Sequence, residues 1–586
     1  MTKPSVLVNR RTTKKPFVQR TAVLAVATLA AVGVASAAPA SAAPASAAPA
    51  AKAAAATTSV RLISLNDFHG NLQPPSGSSG RVTLADGTTV DAGGAAYVAT
   101  HVKDLRAAVP NSIVLSAGDN IGASPLPSAL FHDEPTIAFL NAIRVTASAV
   151  GNHEFDEGYR ELLRIQFGGC HPVDGCQFTP TYGGAKFAYL GANVYFDNGL
   201  PAVLPFTVKI SGGVPIGIIG ATLKGLPDVV TPAAIKGLKF GDEVQAINRT
   251  SKLLDKLGIR AQVVTMHQGD TATTGGPDAC NLVPGGLATA IAAATSPSVD
   301  AFFTGHSHQP YNCSLPDPAG NPRPFMQASS FGRLLSVVDL TIDRKTRDVV
   351  RSATVAHNEI VTRTVTPDPA VQAIVDSAVT KSAPIANRPV GTITADLLRA
   401  QAPSGESTLG DVIADAQLAA TLGNGAQVAI TNPGGIRADL TYASSPAGEG
   451  DGVVTYGEAF TVQPFANVMQ TITLTGDQLD TVLEQQFTAA RTIVLQVSST
   501  LHYTQTPANA FGDRVSNITV GGVPVTPTGT YRVSVNNFLA AGGDGFPGFT
   551  AGTNLTGGPI DVDAFTAYLT ANPNLSPPPA DRITVA

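Results

Sequence analysis

Seven side chains able to hold a metal ion fall on five short polar tips, each following an apolar run. Asp67 and His69 follow Val60–Leu65, Asp119 follows Ile113–Ala117, and Asn152 follows Ala147–Val150. His267 follows Ala261–Met266, while His306 and His308 follow Val299–Thr304. Two carboxylates, one amide oxygen and four imidazoles are enough for two borderline cations, with Zn, Mn or Fe better suited than Mg to so many imidazoles. Two ions about 3.5–4 Å apart can bind both the attacking and the leaving oxygen of a phosphoester, provided a carboxylate bridges them. Asp119, between the other tips in chain order, is the natural bridge. In extended backbone, residues two apart point the same way, so Asp67 with His69 and His306 with His308 would each face one side. No tip suffices alone, because Gly-Asn and Gly-Asp pairs also make ordinary turns. A separate chemistry sits in Gly151-Asn152-His153-Glu154-Phe155-Asp156. A helix starting there sets His153 and Asp156 three apart on one face. An imidazole held by a carboxylate can stabilise phosphoryl charge or protonate a leaving alkoxide, work worth roughly 10²–10⁴ in rate.

The positioning elements read as β-α-β alternation, and the carboxyl ends of strands in open α/β sheets are where sites assemble. Helical patterns cover Ala95–Ala107, Pro125–Arg144 and Val244–Leu257, and paired strands over 334–362 close this half. Residues 160–210 offer only short strands and a Cys170–Cys176 loop. A helical stretch from Pro367 to Pro384, flanked by prolines, predicts a bridge over 363–390. Beyond it come helices at Leu409–Leu422 and Leu479–Phe487 and a strand at Val428–Ile430 that ends in Asn432-Pro433-Gly434-Gly435-Ile436-Arg437.

At 586 residues, with 44% hydrophobic and 14% charged, the chain should divide into two or more globular domains. Its start reads as a signal for export: Lys3, Arg10, Arg11, Lys14, Lys15 and Arg20 precede an apolar run from Ala22 to Val34 and then Ala-Ser-Ala-Ala-Pro-Ala. We read 1–40 as a signal peptide of the general secretory route and 41–58 as a disordered Ala/Pro-rich leader. The expected protein is secreted, with no stable membrane anchor after cleavage, since the apolar run is short for a bilayer span. Residues 1–40 carry six Lys/Arg and no Asp/Glu, so their removal takes the formal charge from -5 to about -11. That balance speaks against binding nucleic-acid polymers. In an exported chain the four cysteines suggest the disulfides Cys170–Cys176 and Cys280–Cys313; the spacings lack the paired C-x-x-C arrangement of a zinc knuckle.

Asp67-Phe68-His69, Gly118-Asp119, Gly151-Asn152-His153-Glu154, His267-Gln268 and Gly305-His306-Ser307-His308 resemble the ordered motifs of the calcineurin-like metallophosphoesterases. Glu406-Ser407-Thr408-Leu409-Gly410, Asn432–Arg437, Gln463-Pro464-Phe465 and Asn537–Phe546 resemble the C-terminal domain of the 5'-nucleotidase family, and together the match spans about 59–570. The resemblance implies an α/β (α+β overall) architecture: a four-layer α/β/β/α domain over 59–362, a linker helix over 363–390 and a nucleotide-binding α/β domain over 391–586. It implies that Asp67, His69, Asp119 and His308 hold one metal and Asp119, Asn152, His267 and His306 the other, with His153 and Asp156 as a catalytic dyad. Relatives differ at the position of His308, where an amide can stand. Asn432 and Arg437 resemble substrate-binding residues, Arg437 facing phosphate; Phe465 and Phe538 resemble a pair that sandwiches the base; Asp544 resembles a residue near the nucleoside. Arg suits phosphate as a planar donor fork, and aromatic faces stack on bases without reading them closely. Members often present a further Arg, for which Arg399 is the nearby candidate. The expected reaction is release of phosphate from nucleoside 5'-monophosphates. Alternatives are hydrolysis of UDP-sugars or nucleoside di- and triphosphates, attack on 2',3'-cyclic nucleotides with 3'-nucleotidase action, and non-catalytic nucleotide or surface binding. The His153–Asp156 dyad argues against the last.

Overall fold

The computed structural model describes residues 56–586 except Ser76, Thr274 and Ala490. The signal expected over 1–40 and most of the leader lie outside the described residues. The end of the leader is corrected: Thr57 and Thr58 already belong to the first strand, paired with Asp343 and Ile342.

Strand β1 (Thr57–Leu65) leads through helix α1 (Ala95–Ala108) to β2 (Ser112–Ser116), then through α2 (Glu134–Ala142) to β3 (Val145–Ala149) and β4 (Ala188–Leu190). Next come β5 (Phe206–Ser211), β6 (Val214–Thr222), α3 (Glu243–Lys256), β7 (Ala261–His267), α4 (Leu287–Ala294) and β8 (Ala301–Thr304). Strands β9 (Pro310–Pro316), β10 (Pro322–Ala328), β11 (Leu334–Asp343) and β12 (Val355–Ile360) complete this half. One six-stranded sheet runs β12-β11-β1-β2-β3-β4 and a second runs β9-β10-β8-β7-β6-β5. β1 through β4 are mutually parallel, as are β6, β7, β8 and β10.

The two sheets pack face to face. Val60 and Leu62 of β1, Ile216 and Ile218 of β6, and Leu340 of β11 share the core between them. Alternate residues point outward: Ile63 and Leu65 pack with α1 and α2, and Ile219 and Ala221 with α3 and α4. Strands buried on both faces explain why these runs read as continuous rather than alternating apolar sequence. The result is the α/β/β/α arrangement expected.

The helical stretch predicted over Pro125–Arg144 is broken. A short helix at Leu126–Ala129 and α2 are separated by His132 and Asp133, both in the left-handed backbone region. Helix α5 (Pro369–Ala386) starts after Asp368, whose carboxylate accepts from the N–H groups of Ala370 and Val371. It continues two residues past Pro384, and Val371, Val375 and Ala378 bury into the α1–α2 side of the first half. The expected bridge is therefore packed along one face.

In the second half, α6 (Thr408–Thr421) precedes β13 (Val428–Thr431), and β14 (Val468–Thr475) runs into α7 (Gly476–Glu484). Helix α7 starts before the predicted Leu479 because Thr475 and Gln478 form a capping box there. With β15 (Gln496–Val497), β16 (Thr530–Asn536) and β17 (Thr553–Ile560), these strands form a sheet in the order β15-β13-β16-β14-β17. β13 and β16 are parallel and β14 runs against β16, so Asn432, Phe538 and Phe465 all lie at one edge. Cys170–Cys176 and Cys280–Cys313 are both disulfides. No helix among the described residues is long and apolar enough to cross a membrane.

Leu340 is fully buried between the sheets, whereas Val355 on β12 is 62% exposed. Leu340→Ala should cost about 2–5 kcal/mol in urea denaturation and Val355→Ala under about 1 kcal/mol. Equal effects would contradict the intersheet core.

Candidate functional site: a strand-end cluster facing an aromatic cavity

The carboxyl ends of β1, β2 and β3 and of β7 and β8 open at the same edge of the sandwich, and the seven side chains meet there. Asp119 is the hub. Its Oδ2 lies 3.0 Å from His267 Nε2 and 3.8 Å from His69 Nε2, while its Oδ1 accepts the backbone N–H of His153 at 2.9 Å. On one side, His69 Nε2 is 3.2 Å from His308 Nε2, which is 3.4 Å from Asp67 Oδ1. On the other, the Asn152 Oδ1 is 3.1 Å from both His267 Nε2 and His306 Nδ1. The donor atoms of Asp67, His69 and His308 lie within 4.8 Å of one another, as do those of Asp119, His267 and His306. Each set could hold one cation.

The side chains are oriented for that role. His267 Nδ1–H donates to the Ala117 carbonyl at 2.8 Å and His69 Nδ1–H to the Gly122 carbonyl at 2.9 Å, which leaves both Nε2 lone pairs facing the cluster. Asn66 donates to Asp67 Oδ2 at 2.6 Å and accepts from Ala328 N–H at 2.9 Å, fixing that carboxylate. Glu154 accepts the backbone N–H groups of Asp119, Asn120 and Gly151 at 2.9, 2.9 and 2.6 Å, tying the β2 and β3 tips together.

The extended-strand geometry expected for the two x-spaced pairs is not what forms. Asp67, His69, Asp119, His306 and His308 all have left-handed backbone, with φ of 49°, 47°, 50°, 72° and 56°. Such conformations cost of order 1–3 kcal/mol each and persist only where surroundings enforce them. The reversal after each strand end brings Asp67 and His69 together but divides His306 and His308 between the two sets. Gly151 marks the tightest approach: a Cβ there would stand 2.1 Å from Asp119 Oδ1.

Electrostatics follow from burial and crowding. Burial alone would raise the Asp119 carboxyl, but His267, His153 and His69 outweigh it and hold it well below the usual carboxylate range. Burial keeps His69 and His308 below the ordinary imidazole value and brings His306 down to about 4. Burial opposes protonation of His267 too, but Asp119 prevails and pushes it up to about 9, so a cation binding there displaces a proton. Burial and then the Asp119 charge push Glu154 up to about 7.

His153 lies on a single 3-10 turn, His153–Phe155, rather than the expected helix, and the dyad still forms with Nδ1 2.7 Å from Asp156 Oδ2. Its ring stacks on Phe465 from the second half, with centroids 5.6 Å apart at 20°. The Arg437 guanidinium sits 5.8 Å from the centroid of the same Phe465 ring. One cavity of about 470 Å³ is lined by Asn152, His153, Asp156 and His306 from the first half and by Asn432, Arg437, Phe465, Phe538 and Asp544 from the second. Both Phe rings are half-buried rather than core. Asn432 Nδ2 donates to Asp544 Oδ2 at 2.6 Å and its Oδ1 accepts from Asn536 at 3.1 Å. Arg399 lines a neighbouring recess with His308, Phe331, Arg333 and Arg437. Asn66, Glu154 and Phe331, whose ring faces His69 and His308, were not singled out from sequence. Adjacency to a tip is the only signal the sequence offers for Asn66 and Glu154, and Phe331, 23 residues beyond His308, carries none.

The sandwich with ligand-bearing strand ends defines a metallophosphoesterase class of fold. Residues 60–310 match the calcineurin-like phosphoesterase model and 389–551 the 5'-nucleotidase C-terminal domain. The chain is 33% identical over 555 residues to the cell wall protein Lmo0130 of Listeria monocytogenes, covering 88% of this chain and 67% of that one. It is 31% identical over 516 residues to the endonuclease YhcR of Bacillus subtilis, covering 87% of this chain but only 39% of that relative's length. Among solved structures, the 5'-nucleotidase precursor of Thermus thermophilus superposes with a TM-score of 0.74 at 25% identity, over 90% of this chain and 99% of that one. The chain belongs to the 5'-nucleotidase family, whose N-terminal halves are calcineurin-like phosphoesterases that use divalent metals.

Gly151→Ala should displace the Asp119 carboxylate and weaken divalent-metal binding by at least about tenfold, or 1.4 kcal/mol, in calorimetric titration of the metal-free protein. Unchanged affinity would contradict the tight packing at the hub.

Proposed function

We propose that this protein is an exported dimetal phosphohydrolase that releases phosphate from nucleoside 5'-monophosphates. The observation that carries the proposal is the shared cavity, which sets the His153–Asp156 pair and the ligand cluster beside an Arg, two aromatic rings and a polar Asn–Asp pair. In this reading Asp67, His69, Asp119 and His308 hold one metal and Asp119, Asn152, His267 and His306 the other. The donor set fits that assignment: imidazoles with fixed tautomers and a carboxylate whose Oδ2 faces both groups. Bound there, Zn, Mn or Fe would lower the pKa of a coordinated water and draw charge from the phosphoryl oxygens.

The protein's own groups do the rest. Arg437 offers a guanidinium to the phosphate. Phe465 and Phe538 take the faces of the base, and Asn432 with Asp544 present a polar edge to the nucleoside. Asp156 holds His153 through Nδ1, so Nε2 is the atom that meets the substrate. Burial disfavours the imidazolium, but Asp156 and Asp119 outweigh it and raise His153 above its ordinary value, which suits a proton donor to the leaving alkoxide. Since α5 is packed against the first half, relative movement of the two halves belongs to the residues just after Ala386, within the 363–390 bridge. Export is supported by the basic-then-apolar 1–40 segment, the two disulfides and the cell wall placement in the name of the Listeria relative.

Purified protein should release phosphate from AMP with Mn²⁺ or Zn²⁺ and lose that activity in EDTA, with ADP, UDP-glucose and 2',3'-cyclic AMP assayed alongside. No turnover of any of these with either metal sinks the enzyme reading, and preference for another substrate moves it to that class. His153→Ala should keep the parent's metal content but lose roughly 10²–10⁴ in kcat; parental AMP hydrolysis by this variant would contradict the dyad.

A further inference from the structure

Asp133 stands directly before α2, where an Asp ordinarily accepts the first free N–H groups of its own helix. It does not do so here. A capping residue has extended backbone, whereas Asp133 is left-handed with φ 57° and ψ 14°, and its side chain makes no capping bond to α2. His132 before it is left-handed as well, with φ 49°. Two such residues in succession are strained, and the strain persists only where contacts elsewhere enforce it.

Those contacts lie on the loop that follows Asp119. The buried Asp133 carboxylate accepts the Gly122 N–H at 3.0 Å through Oδ2 and the Ser128 hydroxyl at 2.5 Å through Oδ1. Ser128, its proton spent on Asp133, accepts in turn from the Thr136 hydroxyl at 2.7 Å. Burial pushes the Asp133 carboxyl up, and these neutral donors pull against it. Gly122 is itself left-handed at φ 78°, as are Asp119 at 50° and Ala123 at 49° on either side. A Cβ on Gly122 would stand 2.7 Å from the His153 carbonyl oxygen and 2.8 Å from Asp156 Oδ2, so the loop is pressed against the dyad. Glu154 holds the N–H groups of Asp119 and Asn120, and Asp133 holds that of Gly122, which pins the loop from two sides. The Gly122 carbonyl then accepts His69 Nδ1–H at 2.9 Å and leaves Nε2 to face the cluster.

We propose that Asp133 is a positioning residue for the metal centre: it fixes Gly122 and, through the Gly122 carbonyl, the His69 imidazole with Nε2 aimed at the ion. The proposal rests on the metal assignment made above, in which His69 is a ligand. The strained turn at His132–Asp133 has a use on this account, because it swings the carboxylate away from α2 and onto the Gly122 N–H. The competing role is local, with Asp133 serving only to hold its own turn through Ser128. The two roles use different oxygens and are separable by the bond removed.

The deciding experiment is calorimetric titration of the metal-free, full-length protein with Mn²⁺, which should show two binding steps, His69→Ala marking the step of its own group. Asp133→Ala should weaken that step about tenfold and leave the other within about twofold. Asp133→Asn keeps an oxygen for the Gly122 N–H and should restore parental binding, and Ser128→Ala should leave both steps unchanged. No change in Asp133→Ala, equal weakening of both steps, or the same loss in Ser128→Ala overturns the proposal. If Asp133→Ala does not fold, hydrogen exchange of the metal-free parent decides: the Gly122 amide should be protected, and free exchange there refutes the anchor. A parent that binds no Mn²⁺ sinks the metal assignment as well, whereas a two-step parent with an unaltered Asp133→Ala variant sinks this proposal alone.

Discussion

The carboxylate of Asp119 can sit where it does only because everything around it is arranged to take its charge. One oxygen is held by the His153 N–H, and the other faces imidazoles from both ligand groups. Glu154, buried beneath, anchors the backbone of Asp119 and Gly151 at once, and Gly151 leaves no side chain to crowd the carboxylate. A second buried carboxylate so close is costly, which its upward shift to about 7 records. The compensation is that three backbone N–H groups otherwise buried without partners are satisfied. The strand ends are thereby locked in left-handed turns that few residues besides Gly, Asn, Asp and His tolerate.

This constraint also explains why the two halves meet at the site. The turn that supplies an N–H to Asp119 is the one that carries His153, so the position of the dyad is set by the same hydrogen bond that fixes the hub. Phe465 lies flat against the His153 ring and under Arg437, placing an apolar face, a proton-carrying ring and a guanidinium in one stack. Movement between the halves would separate that stack while leaving the strand-end cluster whole, because all seven ligand candidates come from the first half.

Much of this was legible in the sequence. Apolar runs ending in Asp, Asn or His locate the strand ends because parallel strands buried on both faces are apolar throughout, and only their tips reach water. The cysteine pairing and the helix patterns followed from spacing. The conformations of the tips did not. Alternation in a strand suggested that His306 and His308 face one way, whereas left-handed backbone sends them to different groups, and no composition rule predicts that reversal for a His. The break at His132–Asp133 escaped for the same reason, since Pro125–Arg144 has helical composition throughout. Glu154 and Asn66 act through bonds to backbone across strands, a role that only the assembled sheet reveals.

The account turns on Asp119 joining two metal sites. An anomalous-difference map from crystals of the Mn²⁺-loaded protein tests this most directly. It should show two peaks flanking the Asp119 carboxylate, one beside Asp67, His69 and His308 and the other beside Asn152, His267 and His306. A single peak among these residues, or two that leave Asp119 uncoordinated, would contradict it.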